Sequence, residues 1–268
     1  MGHLGRQRPG PAPGALRFAR YAYPPNALGY CGPADPGALL EAATGTPHDA
    51  TLRHLAASFE GAWPYLQLIA ASNHLADPLD PLVVEAYWVG NRLLERIPPA
   101  AFAASLADRF ERRAGRAFAS IAEAALFRLG APHHSFHVFA VYPWLGLLRS
   151  GVEGSALTVL DRCRIRWGVV RAVEGDLAVV SSSALRLDGG NLLLGEDRPE
   201  TVRWAVGGSG FAKDLAPGAV VSLHWDWVCE EISPQHRSRL ERWTRANLAA
   251  ANALARPGPA VVLDRLGS

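Results

Sequence analysis

The chain has 268 residues, a formal net charge of +2, 49% hydrophobic and 19% charged residues. This is a globular composition, not that of a disordered chain, and near-neutrality gives no electrostatic footprint for nucleic acid or an anionic membrane. Three cysteines, Cys31, Cys163 and Cys229, make no disulfide framework and show no C-x-x-C spacing, so free thiols in a reducing cytoplasm are expected.

In chain order, residues 1–14 are rich in Gly, Pro and Arg and read as a disordered lead-in with no apolar signal region. The aromatic and Pro/Gly-rich stretch 17–36 reads as ordered but irregular. Helices follow at 36–43, at 49–75 with a kink or break at Pro64, and at 81–96 with Asp80 as N-cap. Further helices are expected at 100–113, 116–129 and 133–149, the last interrupted at Pro143. No apolar run reaches the roughly 18 residues a spanning helix needs. Residues 15–152 therefore form an expected all-helical domain.

The pattern changes near Gly151. A linker at 151–155 leads to β-branched runs at 157–160, 164–173, 177–182, 202–205 and 219–223. Glu174-Gly175-Asp176 and Asp188-Gly189-Gly190 read as turns. Ser233 caps a helix at 234–254, and the tail from Pro257 reads as loose. The fold class is thus α+β: a helical N-terminal domain, then a small β-barrel with a C-terminal helix over 156–256.

Several residues carry candidate chemistry. Cys163 offers a thiolate ligand or nucleophile, and Arg162, Arg164 and Arg166 beside it would lower its pKa. Cys31, in Gly-Tyr-Cys-Gly-Pro, would present a second thiol from a tight loop. In the run from His133 to His137, His134 and His137 share a helix face at i, i+3, as do His133 and His137 at i, i+4. No Glu stands between them as in H-E-x-x-H. Trp225 and Trp227 alternate around Asp226 and would point to one strand face, as an interface if exposed or as core if buried.

The order Cys163, Trp167-Gly168-Val169-Val170, Glu174-Gly175-Asp176, Gly218 to His224 and Ile232 resembles the HypC/HupF hydrogenase-maturation chaperones. The match covers about 160–250. It implies an OB-like barrel in which Cys163 binds an iron fragment with His224 close by. It also implies a HypD-like maturation protein or a hydrogenase large-subunit precursor as partner, with the tryptophans Trp167, Trp225 and Trp227 as contact residues. In that family the cysteine is N-terminal; Cys163 is internal, and Trp167 replaces a proline. The segment 20–33 resembles an uncharacterised actinobacterial family of no known activity.

The leading expectation is a metal-centre maturation or iron-delivery factor that is not itself an enzyme. Two others stand beside it. One is a metal-dependent or thiol enzyme with an interdomain site built from Cys31 and the His133 to His137 cluster; the other is an interaction module without chemistry.

Overall fold

The computed structural model describes residues 13–44, 49–114, 130–141 and 153–255. Its N-terminal part holds α1 (Gly14–Ala27), α2 (Pro36–Thr44), α3 (Asp49–Ala57), α4 (Trp63–Ser72), α5 (Pro81–Trp88) and α6 (Pro99–Ala114). A short helical turn, His134–Phe136, continues as a π-helical turn, His137–Val141. The lead-in up to residue 12, the helix expected at 116–129, the end of the one expected at 133–149 and the loose tail lie outside the described residues. Among the described residues no helix is long and apolar enough to cross a membrane.

Most of the expected helices are present. Asp80 caps α5, its Oδ1 accepting from the Leu82 N–H at 2.8 Å. The long pattern at 49–75 breaks at 58–62, ahead of Pro64, because proline is tolerated in the first turn of α4. The irregular stretch expected from residue 17 is instead mostly helix. Phe18, Tyr21 and Ala22 recur at helical spacing and are buried, and this burial outweighs Pro24 and Pro25, which sit in the last turn of α1.

The strand expected at 157–160 is a correction. Ala156, Leu160 and Cys163 recur at i, i+4 and i+7, and the segment forms α7 (Glu153–Cys163), buried along that face. Within the described residues, helix therefore takes up 153–155 of the expected linker and runs on to Cys163.

The strands are β1 (Arg166–Glu174), β2 (Leu177–Asp188), β3 (Asn191–Arg203), β4 (Ala205–Val206), β5 (Ser209–Gly210), β6 (Val220–His224) and β7 (Trp227–Glu231). Five of them form one sheet in the order β1-β2-β3-β7-β6, and β6 pairs back onto β1. Closure runs through one parallel pair, Arg203 with Trp227. Both expected turns are hairpins, Glu174 pairing with Leu177 and Asp188 with Asn191. The stretch 188–200 extends the β2–β3 hairpin, so the strand expected at 177–182 reaches Asp188.

The last helix, α8 (Pro234–Ala255), starts at Ser233, whose Oγ accepts from the His236 N–H at 3.1 Å. Leu248 and Ala251 of α8 pack with Val138, Phe139 and Leu160, so the helix clasps the helical part as well as the sheet.

A buried ion-pair network joins the two parts. Arg17 of α1 reaches Glu85 of α5 at 3.0 Å and Glu230 of β7 at 2.7 Å. Tyr21 shares its hydroxyl between Ser222 and Glu230, both at 2.7 Å. Burial works to lower the Arg17 pKa, and Glu230, Tyr21 and Glu85 more than reverse it. Burial alone would raise Glu85; His236 and Arg17 instead hold it down to about 2.

Candidate functional site

A cavity of about 270 Å³ lies between the helical part and the sheet. Cys31, His134, His137, Cys163 and His224, read as candidate ligands from the sequence, all line it. Its other walls are mainly apolar or aromatic, among them Pro25, Phe59, Tyr87, Trp88 and Leu160. Three of the donors converge: the ligand atoms of His134, Cys163 and His224 lie within 4.8 Å of one another. Cys31 lies outside that triangle.

His224 ends β6 and is fully buried. Its Nδ1 lies 2.5 Å from the Tyr21 carbonyl, so Nδ1–H donates and Nε2 keeps its lone pair. That carbonyl is available because of the sequence of α1. It would normally accept from the N–H four residues on, and that residue is Pro25, which has none. Nε2 has no hydrogen-bond partner although it is buried. An orphaned imidazole lone pair in a cavity is a ligand atom waiting for an acceptor of electrons. Burial, then His134, pushes the His224 pKa well below its usual value, so the ring is neutral.

His134 donates from Nε2 to the Cys163 carbonyl at 2.8 Å, and Tyr87 OH donates to its Nδ1 at 3.2 Å. Burial pushes its pKa down to about 4. To ligate a metal it must exchange one of these bonds.

Cys163 is the last residue of α7, and its carbonyl is one of those a helix end leaves without an internal donor. Burial, with a further contribution from Cys31, raises its pKa strongly. This corrects the expected activation by arginine. Arg164 pairs with Asp161 at 2.9 Å, and Arg162 and Arg166 pair with Glu200 at 2.5 and 3.0 Å, so those charges are already engaged. The negative end of the α7 dipole also disfavours a bare thiolate and favours a cation.

Cys31 sits between α1 and α2. Asn26 Nδ2 donates to the Cys31 carbonyl at 2.8 Å and the Pro33 carbonyl at 2.7 Å, which fixes the loop. Gly32 has φ +89, and a Cβ there would meet the Phe59 ring at 2.4 Å, so the loop needs glycine to lie this close. Burial pushes the Cys31 thiol up to about 12.

His137 lies against Gly61, whose added Cβ would be 3.0 Å from its Nε2, and Tyr65 OH is 3.4 Å from its Nδ1. His133 does not share this face. It caps its helical turn, its Nδ1 accepting from the Ser135 N–H at 3.1 Å, and burial and His134 push its pKa down to about 3.

The three tryptophans are all buried. Trp225 and Trp227 do not share a strand, because Trp225 lies in the β6–β7 turn with φ +53. The turn is held by Trp225 N–H donating to Arg162 O at 2.7 Å and Arg166 donating to Trp225 O at 2.6 Å. Trp225 lines the cavity under Tyr30, at 4.3 Å between ring centroids. Trp227 stacks on Phe211, and Trp167 packs in the same core. Cys229 is buried elsewhere.

The arrangement suits a thiophilic ion better than a nucleophile. Both cavity thiols are protonated at neutral pH, the opposite of an activated cysteine. A metal displaces that proton and binds the thiolate directly. With metal–sulfur and metal–nitrogen bonds of about 2.3 and 2.1 Å, tetrahedral donors sit roughly 3.6 Å apart. The triangle must therefore draw in by about 1 Å on binding.

Residues 10–257 match the family of unknown function DUF6390, and the chain belongs to that family. No curated protein and no solved structure matches it.

Proposed function

We propose that this protein holds a thiophilic transition-metal ion at Cys163, His224 and His134 and passes it on during assembly of a metal centre in another protein. The observation that carries the reading is the meeting of a thiol and two imidazoles within 4.8 Å, one imidazole with an orphaned lone pair. The resemblance to HypC/HupF chaperones asks for a cysteine and a histidine close together at these two positions. It nominates an iron fragment as cargo and a hydrogenase large-subunit precursor or a HypD-like protein as partner. The internal position of Cys163 changes how delivery must work: the helical part covers the thiol, so transfer requires that cover to lift.

The test is an anaerobic titration with ferrous and zinc ions, followed by transfer to a metal-free hydrogenase large-subunit precursor. Wild type should bind one ion per chain and hand it over. Cys163→Ala and His224→Ala should each weaken binding more than ~100-fold and abolish transfer. Equal binding by wild type and both variants would refute the reading.

A further inference from the structure

Three donors in this cavity leave a charge problem. A divalent ion bound by one thiolate and two neutral imidazoles keeps a net charge of +1. No carboxylate lines the cavity among the described residues. Asp161, next to the lining residue Leu160, and Glu200 are engaged by Arg162, Arg164 and Arg166. An uncompensated charge in an apolar cavity is strongly disfavoured, and a fourth coordination position is left to fill; His137 also lines the cavity, but a neutral imidazole would not cancel the charge. One further anionic donor would solve both problems.

Cys31 is placed to supply it. It lines the same cavity as the triangle. Its loop is fixed by the two Asn26 hydrogen bonds and by the close approach of Gly32 to Phe59. Tyr30, the residue before it, lies across Trp225, which follows the ligand His224 in sequence. The loop thus holds a thiol over the site and covers the cavity with an aromatic ring. Tyr30 itself stays 46% exposed, so the cover borders solvent and can lift without unfolding the core.

We infer that Cys31 is the fourth ligand, completing a Cys31, Cys163, His134, His224 set that binds a divalent ion such as zinc or ferrous iron as a neutral complex. This rests on the reading above and deepens it. Binding releases two thiol protons per ion and draws the loop inward. Loss of the Cys31 bond, with the loop swinging out, is the step that opens one coordination position to a recipient's ligand.

Cobalt(II) is the probe, because each thiolate ligand contributes its own near-ultraviolet charge-transfer absorption and tetrahedral sites have intense visible bands. Full-length wild type, Cys31→Ser, Cys31→Ala and Cys163→Ser are titrated anaerobically, with circular dichroism to check the fold. The inference expects Cys31→Ser to lose about half of the charge-transfer intensity, and both Cys31 variants to weaken cobalt binding by more than ~100-fold. Proton release should fall from two per ion to one. A folded Cys31 variant with the wild-type spectrum and proton count overturns the inference and leaves the three-donor site standing. Wild type that binds no cobalt overturns both.

Discussion

Arg17→Met removes the cation that ties the helical cover to the sheet. In the native protein Arg17 donates to Glu85 and to both oxygens of Glu230, while Tyr21 also donates to Glu230. Methionine fills similar space but leaves two nearly buried carboxylates facing each other. Breaking one partner of such a network costs about 3–5 kcal/mol, a large share of the ~5–15 kcal/mol that stabilises a domain. At ~2–4 °C per kcal/mol for a chain of this size, the melting temperature should fall by about 6–20 °C. The pH profile should change as well. Glu85 is held down to about 2, against an ordinary 4.5, so its contribution is complete above pH 4.5 and is lost as pH falls towards 2. That contribution is at most about 3 kcal/mol, and less because Glu85 is partly solvated. In Arg17→Met, His236 and Arg239 still lie 3.4 and 3.6 Å from Glu85 and hold it down less strongly, so this acid-linked loss should shrink. Urea unfolding followed by tryptophan fluorescence at pH 7, 4 and 3 reads both quantities. A cost below about 1 kcal/mol with an unchanged acid limb would refute the clamp.

Three further outcomes follow from the cavity. Pro25→Ala restores an N–H that competes with His224 for the Tyr21 carbonyl, so metal affinity should fall about 10-fold or more while the helix content holds; a competition titration with a chromophoric chelator reads it. Gly32→Ala places a Cβ 2.4 Å from the Phe59 ring at a positive φ and should cost about 1–3 kcal/mol, seen as a lower urea midpoint. Tyr30→Ala removes the ring stacked on Trp225; native-state labelling of Cys31 by a thiol reagent should speed up several-fold while global stability drops by only about 0.5–1.5 kcal/mol.

Much of this architecture is legible in the sequence where local signals agree with burial. Asp80 and Ser233 mark helix starts by their side chains, and the turns at 174–177 and 188–191 carry their glycines openly. The five candidate ligands could be named because Cys and His are rare and chemically distinct. What brings them into one cavity was not legible, since it depends on contacts between residues some 200 apart. The Tyr21 carbonyl that orients His224 is an example: its signal is Pro25, which in sequence reads as disruption of a helix instead of as a freed acceptor. The segment at 157–160 misled because Thr158 and Val159 favour a strand locally, while Ala156, Leu160 and Cys163 bury together only in a helix. Arginines next to Cys163 in sequence suggested an acidic thiol; their guanidinium groups turn instead to Asp161 and Glu200.

On the proposed function, the thiol and imidazoles of this cavity bind one metal ion. X-ray absorption at the metal edge of protein loaded anaerobically with one equivalent of zinc tests it most directly. Sulfur scatterers at about 2.3 Å together with imidazole nitrogen at about 2.0–2.1 Å are expected, with loss of sulfur signal in Cys163→Ala. A shell of light atoms alone, identical in wild type and Cys163→Ala, would contradict it.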